Sequence, residues 1–436
     1  YNAGSYAYNY LQEITTISAG SKHAAVITKN GDLYTWGDGE NGQLGNGAND
    51  DSNLPVKAFE NAVQVASGSN QSIAIQKDSA VWAWGDNTPP PYLTFSETIW
   101  TDTDTGGGKT EKYPTATIYG RKYTETNPTN VSYQLGIADT TSTSVNTPQM
   151  VVKGNTINAK PENFSEQLMK YGIISTRGSH TVMYSTRYGT VWSWGNNDKG
   201  QLGLGSSVTN QDRPVQIKNL SNITYITAGQ YHAGAIDKDG NVYMWGYNEF
   251  GQIGNGTSNN YNLTTHKSVD WYDYCWSPDS HHDHSSAWAY HTHYIYNKVD
   301  NNIYTPTKLS YNFGEKIATI TAGDNHTVVM TESGKIYAWG DNRYNQIGSP
   351  QTYAKSGYMG HYRYYLDSGN SNDAETTRVP LMLTPVRVRG AEGYGYLEEI
   401  IDVRAGGDFT IALKRDGTAY TWGKNDEGTD RKSTRL

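Results

Sequence analysis

The sequence predicts an all-β fold, a β-propeller with six recognisable repeats, on three observations. A small-Gly element recurs at Gly20, Gly68, Gly178, Gly229, Gly323 and Gly406, and a Trp stands 16 residues after each glycine, in Trp36-Gly37, Trp84-Gly85, Trp194-Gly195, Trp245-Gly246, Trp339-Gly340 and Trp422-Gly423. Copy-to-copy distances range from 48 to 110 residues, so a rigid unit is repeated and joined by connections of free length. Between glycine and Trp the side chains alternate with a period of two, as in strands.

The first element of each copy is a hairpin. In copy one His23 to Thr28 and Asp32 to Trp36 are strands around Asn30-Gly31, a pair suited to a two-residue turn with positive φ angles. Asp239-Gly240 and Asp416-Gly417 repeat the turn, Tyr188-Gly189 and Ser333-Gly334 are looser, and Asp78-Ser79 lacks a glycine, which predicts a longer or bulged hairpin there. A lone hairpin buries too little to be stable, so copies must pack face to face. The Ala-Gly start allows close backbone approach, and each Trp offers roughly 150–250 Å² to bury between blades.

After Trp the first copy continues Gly-Asp-Gly-Glu-Asn-Gly-Gln-Leu-Gly to Pro55-Val56, and the third runs through Gln201-Leu202-Gly203 to Pro214-Val215. With Ala-Gly-x-x-His before it, this pattern resembles the repeat of the regulator of chromosome condensation family, over six units from residue 14 to 428. The resemblance implies a propeller of four-stranded blades, usually seven. Six are counted here, and the last stops at Gly428 without Gln-Leu-Gly; a seventh would be assembled from both ends or lie beyond this sequence. The expectation is therefore a single β-propeller domain over 1–436.

Against the short copies the chain carries insertions at about 88–131, 153–172, 257–304 and 349–383. Three of them interrupt the segment between Trp and the following Pro, which predicts that they gather on one face. The other, 153–172, belongs to a different connection and predicts a short helix over 161–169. The insertions are rich in Tyr and Trp, in a chain with 35 Tyr and 12 Trp against 6 Phe. Disordered segments are poor in aromatics, so these loops are expected to be ordered. Their rings are either a binding surface or small cores beneath the loops. The candidate binding residues are Trp271, Tyr272, Tyr274, Trp276 and Tyr290, with Tyr358, Tyr362, Tyr364 and Tyr365.

Composition narrows the partners. Charged residues are 18% and the net charge is −8, which argues against a sequence-independent grip on nucleic acid. One cysteine, Cys275, excludes an internal disulfide. No apolar run approaches the ~20 residues that span a bilayer, and mean hydropathy is −0.71, so no membrane insertion is expected. The chain begins at Tyr1, which reads as a processed protein or part of a larger chain or assembly.

Little points to catalysis, and no catalytic residue is assigned. His23, His180, His232 and His326 recur in register after the small-Gly element; positions repeated from blade to blade are dispersed, which favours structural hydrogen bonds. His281, His282 and His284 form the one cluster with metal-ligand chemistry, although their spacing matches no closed zinc motif, so no cofactor is expected beyond a possible ion there. Asp102 to Gly107 lacks the residues of a calcium loop, and Gly106-Gly107-Gly108-Lys109-Thr110 lacks the leading glycine of a phosphate loop.

The reading is a non-enzymatic module, with aromatic insertion loops on a propeller scaffold offered to a protein or glycan partner. Family members are known as small-GTPase exchange factors, as chromatin-bound regulators and, in secreted bacterial examples, as inhibitors that clamp a β-lactamase with aromatic loops. The acidic balance fits the bacterial style, with an extracellular or cell-surface location. A guanine-nucleotide exchange factor and a polysaccharide-acting enzyme are the alternatives.

Overall fold

The computed structural model describes residues 11–88 except 79, 92–104, 110–123, 133–138, 141–151, 172–259 except 187, 267–274, 288–295, 300–349, 381–425 except 391–393, and 434–435; in 92–104, 110–123, 267–274, 288–295 and 434–435 it describes the backbone alone. The fold is an all-β propeller, and its blades are six four-stranded sheets.

Blade 1 is β1 (Ile14–Ala19), β2 (His23–Thr28), β3 (Leu33–Gly37) and β4 (Ser52–Phe59). Blade 2 is β5 (Ala62–Ser67), β6 (Gln71–Gln76) and β7 (Val81–Asp86); a separate ribbon of β8 (Tyr92–Asp104) and β9 (Thr110–Tyr123) follows, and β10 (Ser144–Met150) completes the blade. Blade 3 is β11 (Gly172–Arg177), β12 (His180–Ser185), β13 (Val191–Gly195) and β14 (Gln211–Ile217). Blade 4 is β15 (Ile223–Ala228), β16 (His232–Asp237) and β17 (Val242–Gly246), then a second ribbon, β18 (Lys267–Tyr274) and β19 (Trp288–Ile295), before β20 (Ile303–Lys308). Blade 5 is β21 (Ile317–Ala322), β22 (His326–Thr331), β23 (Ile336–Asp341) and β24 (Leu381–Arg387). Blade 6 is β25 (Ile400–Ala405), β26 (Phe409–Lys414) and β27 (Ala419–Gly423), and its fourth strand, β28 (Thr434–Arg435), runs parallel to β27.

The chain packs as two compact units, Tyr1–Asp239 with Tyr304–Pro306, and Gly240–Ile303 with Thr307–Leu436. In the first, Ala25, Ile27 and Leu33 pack with Val65, Ala74 and Trp84 of the next blade, and Ile73 and Ile75 pack with Ile174, Met183 and Trp194 of the blade after it. In the second, Val328, Met330 and Ile347 pack with Val403, Ala412 and Trp422. Neighbouring inner strands are also joined by side chains: Ser67 N–H donates to Ser18 Oγ at 2.8 Å, Ala228 N–H to Ser175 Oγ at 3.0 Å, and Ala405 N–H to Thr321 Oγ1 at 3.0 Å.

The turns depart from the expected two-residue type. Gly31 N–H donates to Thr28 O at 2.9 Å and Thr28 N–H to Asp32 O at 3.0 Å, while Gly31 has φ +88° and Asn30 is not among the positive-φ residues. This is a three-residue loop whose last residue takes the left-handed conformation. The Asp78-Ser79 hairpin is no longer than the others, with Gln76 N–H donating to Ala80 O at 2.9 Å.

Copy three is the exception to the regular spacing. His180 pairs with Gly195 as His23 pairs with Gly37, and Arg177 pairs with His180, so Arg177, one residue before Gly178, occupies the position of Gly20. The hairpin turn is one residue longer, closed by Ser185 N–H to Thr190 O at 2.9 Å. The 16-residue offset survives there only because the two changes cancel.

Among the described residues blade 6 is more exposed than blade 2. Ile411 and Leu413 are 39% and 38% exposed, while Ile73 and Ile75, at the same positions of blade 2, are buried. The segment 161–169, read as a short helix, lies outside the described residues.

Candidate functional site

Positions that recur in the sequence become a staple between consecutive blades. The carbonyl of Gln43, in the Gln-Leu-Gly of blade 1, accepts the indole N–H of Trp84 at 2.9 Å and the hydroxyl of Ser72 at 3.1 Å, both from blade 2. Gln252 O accepts Trp339 Nε1–H at 2.8 Å and Thr327 Oγ1–H at 2.9 Å, and Gln346 O accepts Trp422 Nε1–H at 2.9 Å and Thr410 Oγ1–H at 3.2 Å. Gly45 has φ +68°, and a Cβ there would stand 2.6 Å from the Trp84 ring, so the loop needs glycine to lie on the next blade's Trp. Trp84, Trp194, Trp245, Trp339 and Trp422 are buried, as expected. Trp36 is half-buried, and no Gln-Leu-Gly precedes it in the chain.

Two of the recurrent histidines join the same staple. His23 Nε2 lies 2.9 Å from Ser72 Oγ and His326 Nε2 3.1 Å from Thr410 Oγ1. Each hydroxyl spends its proton on a Gln carbonyl, so Nε2 carries the imidazole proton and donates. Burial lowers the pKa of His23 to about 4, against the opposing pull of Asp38, and that of His180 to about 3. These rings are neutral spacers. Among the described residues no group of three metal-ligating side chains converges.

The insertions leave the blades at equivalent places. Those of blades 2, 4 and 5 run between the third and fourth strands, β7 to β10, β17 to β20 and β23 to β24. Asparagines hold the stems. Asn259 Nδ2–H donates to Asn302 Oδ1 at 2.6 Å, Asn301 N–H to Asn259 Oδ1 at 2.7 Å and Asn301 Nδ2–H to Ser258 O at 2.6 Å, so the two ends of the blade 4 insertion are clamped together. Asn87 Nδ2–H donates to Ser142 O at 3.1 Å below the blade 2 insertion, and Asn342 Nδ2–H to Ser349 O at 3.4 Å at the start of the blade 5 insertion. The stems of the insertions in blades 4 and 5 adjoin, because Gly256 N–H donates to Leu383 O at 2.8 Å. Sequence reading missed these asparagines; their signal was the Asn clusters at Asn248, Asn255 and Asn259, and at Asn301 and Asn302.

Of the candidate binding residues, Trp271, Tyr272, Tyr274 and Tyr290 fall on the second ribbon, whose backbone alone is described. Its register sets Tyr272 opposite Tyr290 and Tyr274 opposite Trp288, with Trp271 opposite His291. By strand alternation Tyr272, Tyr274 and Tyr290 share one face with Trp288, and Trp271 belongs to the other. Trp276, Tyr358, Tyr362, Tyr364 and Tyr365 lie outside the described residues, as do His281, His282 and His284.

Comparison with known proteins gives a consistent picture. Two profiles of the "Regulator of chromosome condensation (RCC1) repeat" match, one over residues 30–75, 188–236, 239–266 and 333–413, the other over 14–43, 223–252, 317–346 and 400–429. Among curated relatives, human "E3 ubiquitin-protein ligase HERC2" is 26% identical over 312 residues, which is 68% of this chain but 6% of that protein. "Ultraviolet-B receptor UVR8" of Arabidopsis thaliana is 23% identical over 96% of this chain and 78% of its own length. Mouse "Regulator of chromosome condensation" is 25% identical over 56% of this chain and 41% of its own length. Among solved structures, Prp20p of Saccharomyces cerevisiae, described with its binding to Gsp1p and histones, superposes with TM-score 0.57 at 18% identity over 94% of this chain and 72% of that one. That likeness concerns the fold.

Proposed function

Because the chain belongs to the Regulator of chromosome condensation (RCC1) repeat family, we propose that it is a non-enzymatic protein-interaction module whose insertions in blades 4 and 5 form the partner surface. One observation carries the reading: both insertions leave the same connection of consecutive blades, and Gly256 N–H to Leu383 O joins their stems at 2.8 Å. Two aromatic-rich segments tethered to adjoining points on a rigid scaffold are suited to one partner. Tyr and Trp give large contact areas at small entropic cost, and hot spots are enriched in them. The Asn clamp supports this, since a stem held by short hydrogen bonds reduces the ordering cost of binding.

The test compares the intact chain with one in which 260–299 and 350–380 are replaced by short Gly-Ser links. A protein captured by the intact chain is purified, and its affinity for both forms is measured by calorimetry. Loss of binding by the trimmed form at an unchanged melting temperature supports the reading; equal affinity refutes it, and capture of a polysaccharide instead of a protein assigns the surface to glycan.

Regulation of a small GTPase is the second reading, favoured by the relatives called regulators of chromosome condensation and by the binding of Prp20p to Gsp1p. Accelerated release of a fluorescent guanine nucleotide from a GTPase by catalytic amounts of the intact chain supports it.

A further inference from the structure

Away from those insertions, blade 5 carries a file of stacked rings and guanidinium groups. Tyr311 and Phe313 have ring centroids 4.7 Å apart, and Phe313 meets Tyr337 edge-on at 5.2 Å. The Arg387 guanidinium lies between two rings, 5.5 Å from Tyr337 and 4.5 Å from Tyr396, and the Arg389 guanidinium lies 4.9 Å from Tyr396. The backbone fixes the order: Arg387 pairs with Tyr337 across β23 and β24, and Arg389 forms a bridge with Tyr396. Tyr394, at the tip, is 81% exposed and Tyr396 is 47% exposed.

The charges on this file are incompletely matched. Arg387 Nη2–H donates to Glu398 Oε1 at 3.1 Å, and that carboxylate is itself largely exposed. Arg387 Nε is buried without an acceptor. Arg389 has no carboxylate within ion-pairing distance among the described residues. Stacked Arg and Tyr are the residue types that dominate interface hot spots, and a guanidinium held over a ring is preorganised for a carboxylate.

We propose that Arg387, Arg389, Tyr394 and Tyr396 form a second docking surface, distinct from the insertions, for an extended acidic peptide segment of a partner protein. One carboxylate takes Arg389, a second exchanges with Glu398 on Arg387, and Tyr394 packs the peptide between them. The occupant is a peptide and not a nucleic acid because this file offers two guanidinium groups, too few to hold a polyanion charged at every residue against a chain net charge of −8. Neutral rings alternating with two cations suit carboxylates spaced along a chain.

The test uses the full chain and a fluorescein-labelled dodecapeptide of alternating Glu and Gly, read by fluorescence anisotropy at about 50 mM salt, where charge contacts are little screened. A Lys-Gly dodecapeptide and a single-stranded DNA of twelve nucleotides are measured alongside. The Glu peptide should bind saturably, Arg389→Glu should weaken it about tenfold or more, and Tyr394→Ala about threefold. Lys57→Glu, a charge reversal in blade 1, should leave it within about twofold. Tyr394→Ala removes an exposed ring, so it keeps the test valid if Arg389→Glu disturbs the fold. The proposal is overturned if the Glu peptide binds no better than the Lys peptide, if neither blade 5 substitution weakens it, or if DNA binds as well as the Glu peptide.

Discussion

Ala233→Ser should stabilise the first unit. In blades 2 and 6 the second residue of the second strand supplies a hydroxyl to the preceding blade's histidine, Ser72 to His23 at 2.9 Å and Thr410 to His326 at 3.1 Å. In blade 4 that residue is Ala233, and His180, the histidine it would serve, is buried with neither ring nitrogen partnered. An orphaned buried donor costs about 1–3 kcal/mol and a typical hydrogen bond contributes about 0.5–1.5 kcal/mol. Serine adds one hydroxyl to a packed site, with a desolvation cost that its two hydrogen bonds offset, so the net gain should be about 1 kcal/mol. Urea unfolding at pH 7 should show the midpoint rise at constant slope. Ala233→Val, which adds bulk at the site but no hydroxyl, should give no gain. An unchanged or lowered midpoint for Ala233→Ser, or an equal rise for both variants, would refute the hydrogen-bond reasoning.

Further outcomes follow from the staple and its surroundings. Trp339→Ala should lose about 3–5 kcal/mol in urea unfolding, as expected for a large buried ring, while Thr327→Val, which removes one of two donors to Gln252 O, should lose about 1 kcal/mol. Because the folded pKa of His23 is depressed to about 4, the unfolded chain binds more protons below pH 6.5, so stability present at neutral pH should fall between about pH 6.5 and 4. His23→Gln, the residue found at Gln71, should flatten that fall. Asp408→Asn should raise stability at pH 7 and lose its advantage in acid, since burial and the neighbouring Asp324 and Asp341 raise the carboxyl pKa above its ordinary value.

Much of the architecture was legible because its signals are local. Period-two alternation, the glycine turn and Trp-Gly mark three strands of each blade without reference to any other. The fourth strand was legible through its proline: Pro55 lies within β4, whose pairing with β3 is interrupted between Thr35 and Gly37, as suits a residue with no N–H on an edge strand. The shift in copy three was hidden because a longer turn and a displaced glycine cancel in the count. The staple was also hidden: its Gln carbonyl and Trp indole stand 41 residues apart in the first junction, and a sequence does not show which loop lies on which ring. The aromatic insertions announced themselves by composition, but placing Tyr290 with Tyr272 and Tyr274 required the pairing of β18 with β19. The Arg387 and Tyr396 stack joins the end of β24 to the connection after it, which no repeat pattern marks.

Hydrogen–deuterium exchange of the intact chain, with and without its captured protein partner, tests the proposed interaction role most directly. Protection on binding should concentrate in peptides covering 267–274, 288–295 and 350–380, with the blade strands unchanged. Protection confined to the turns after the first strands, such as 20–22 and 323–325, with the insertions exchanging as in the free chain, would contradict it.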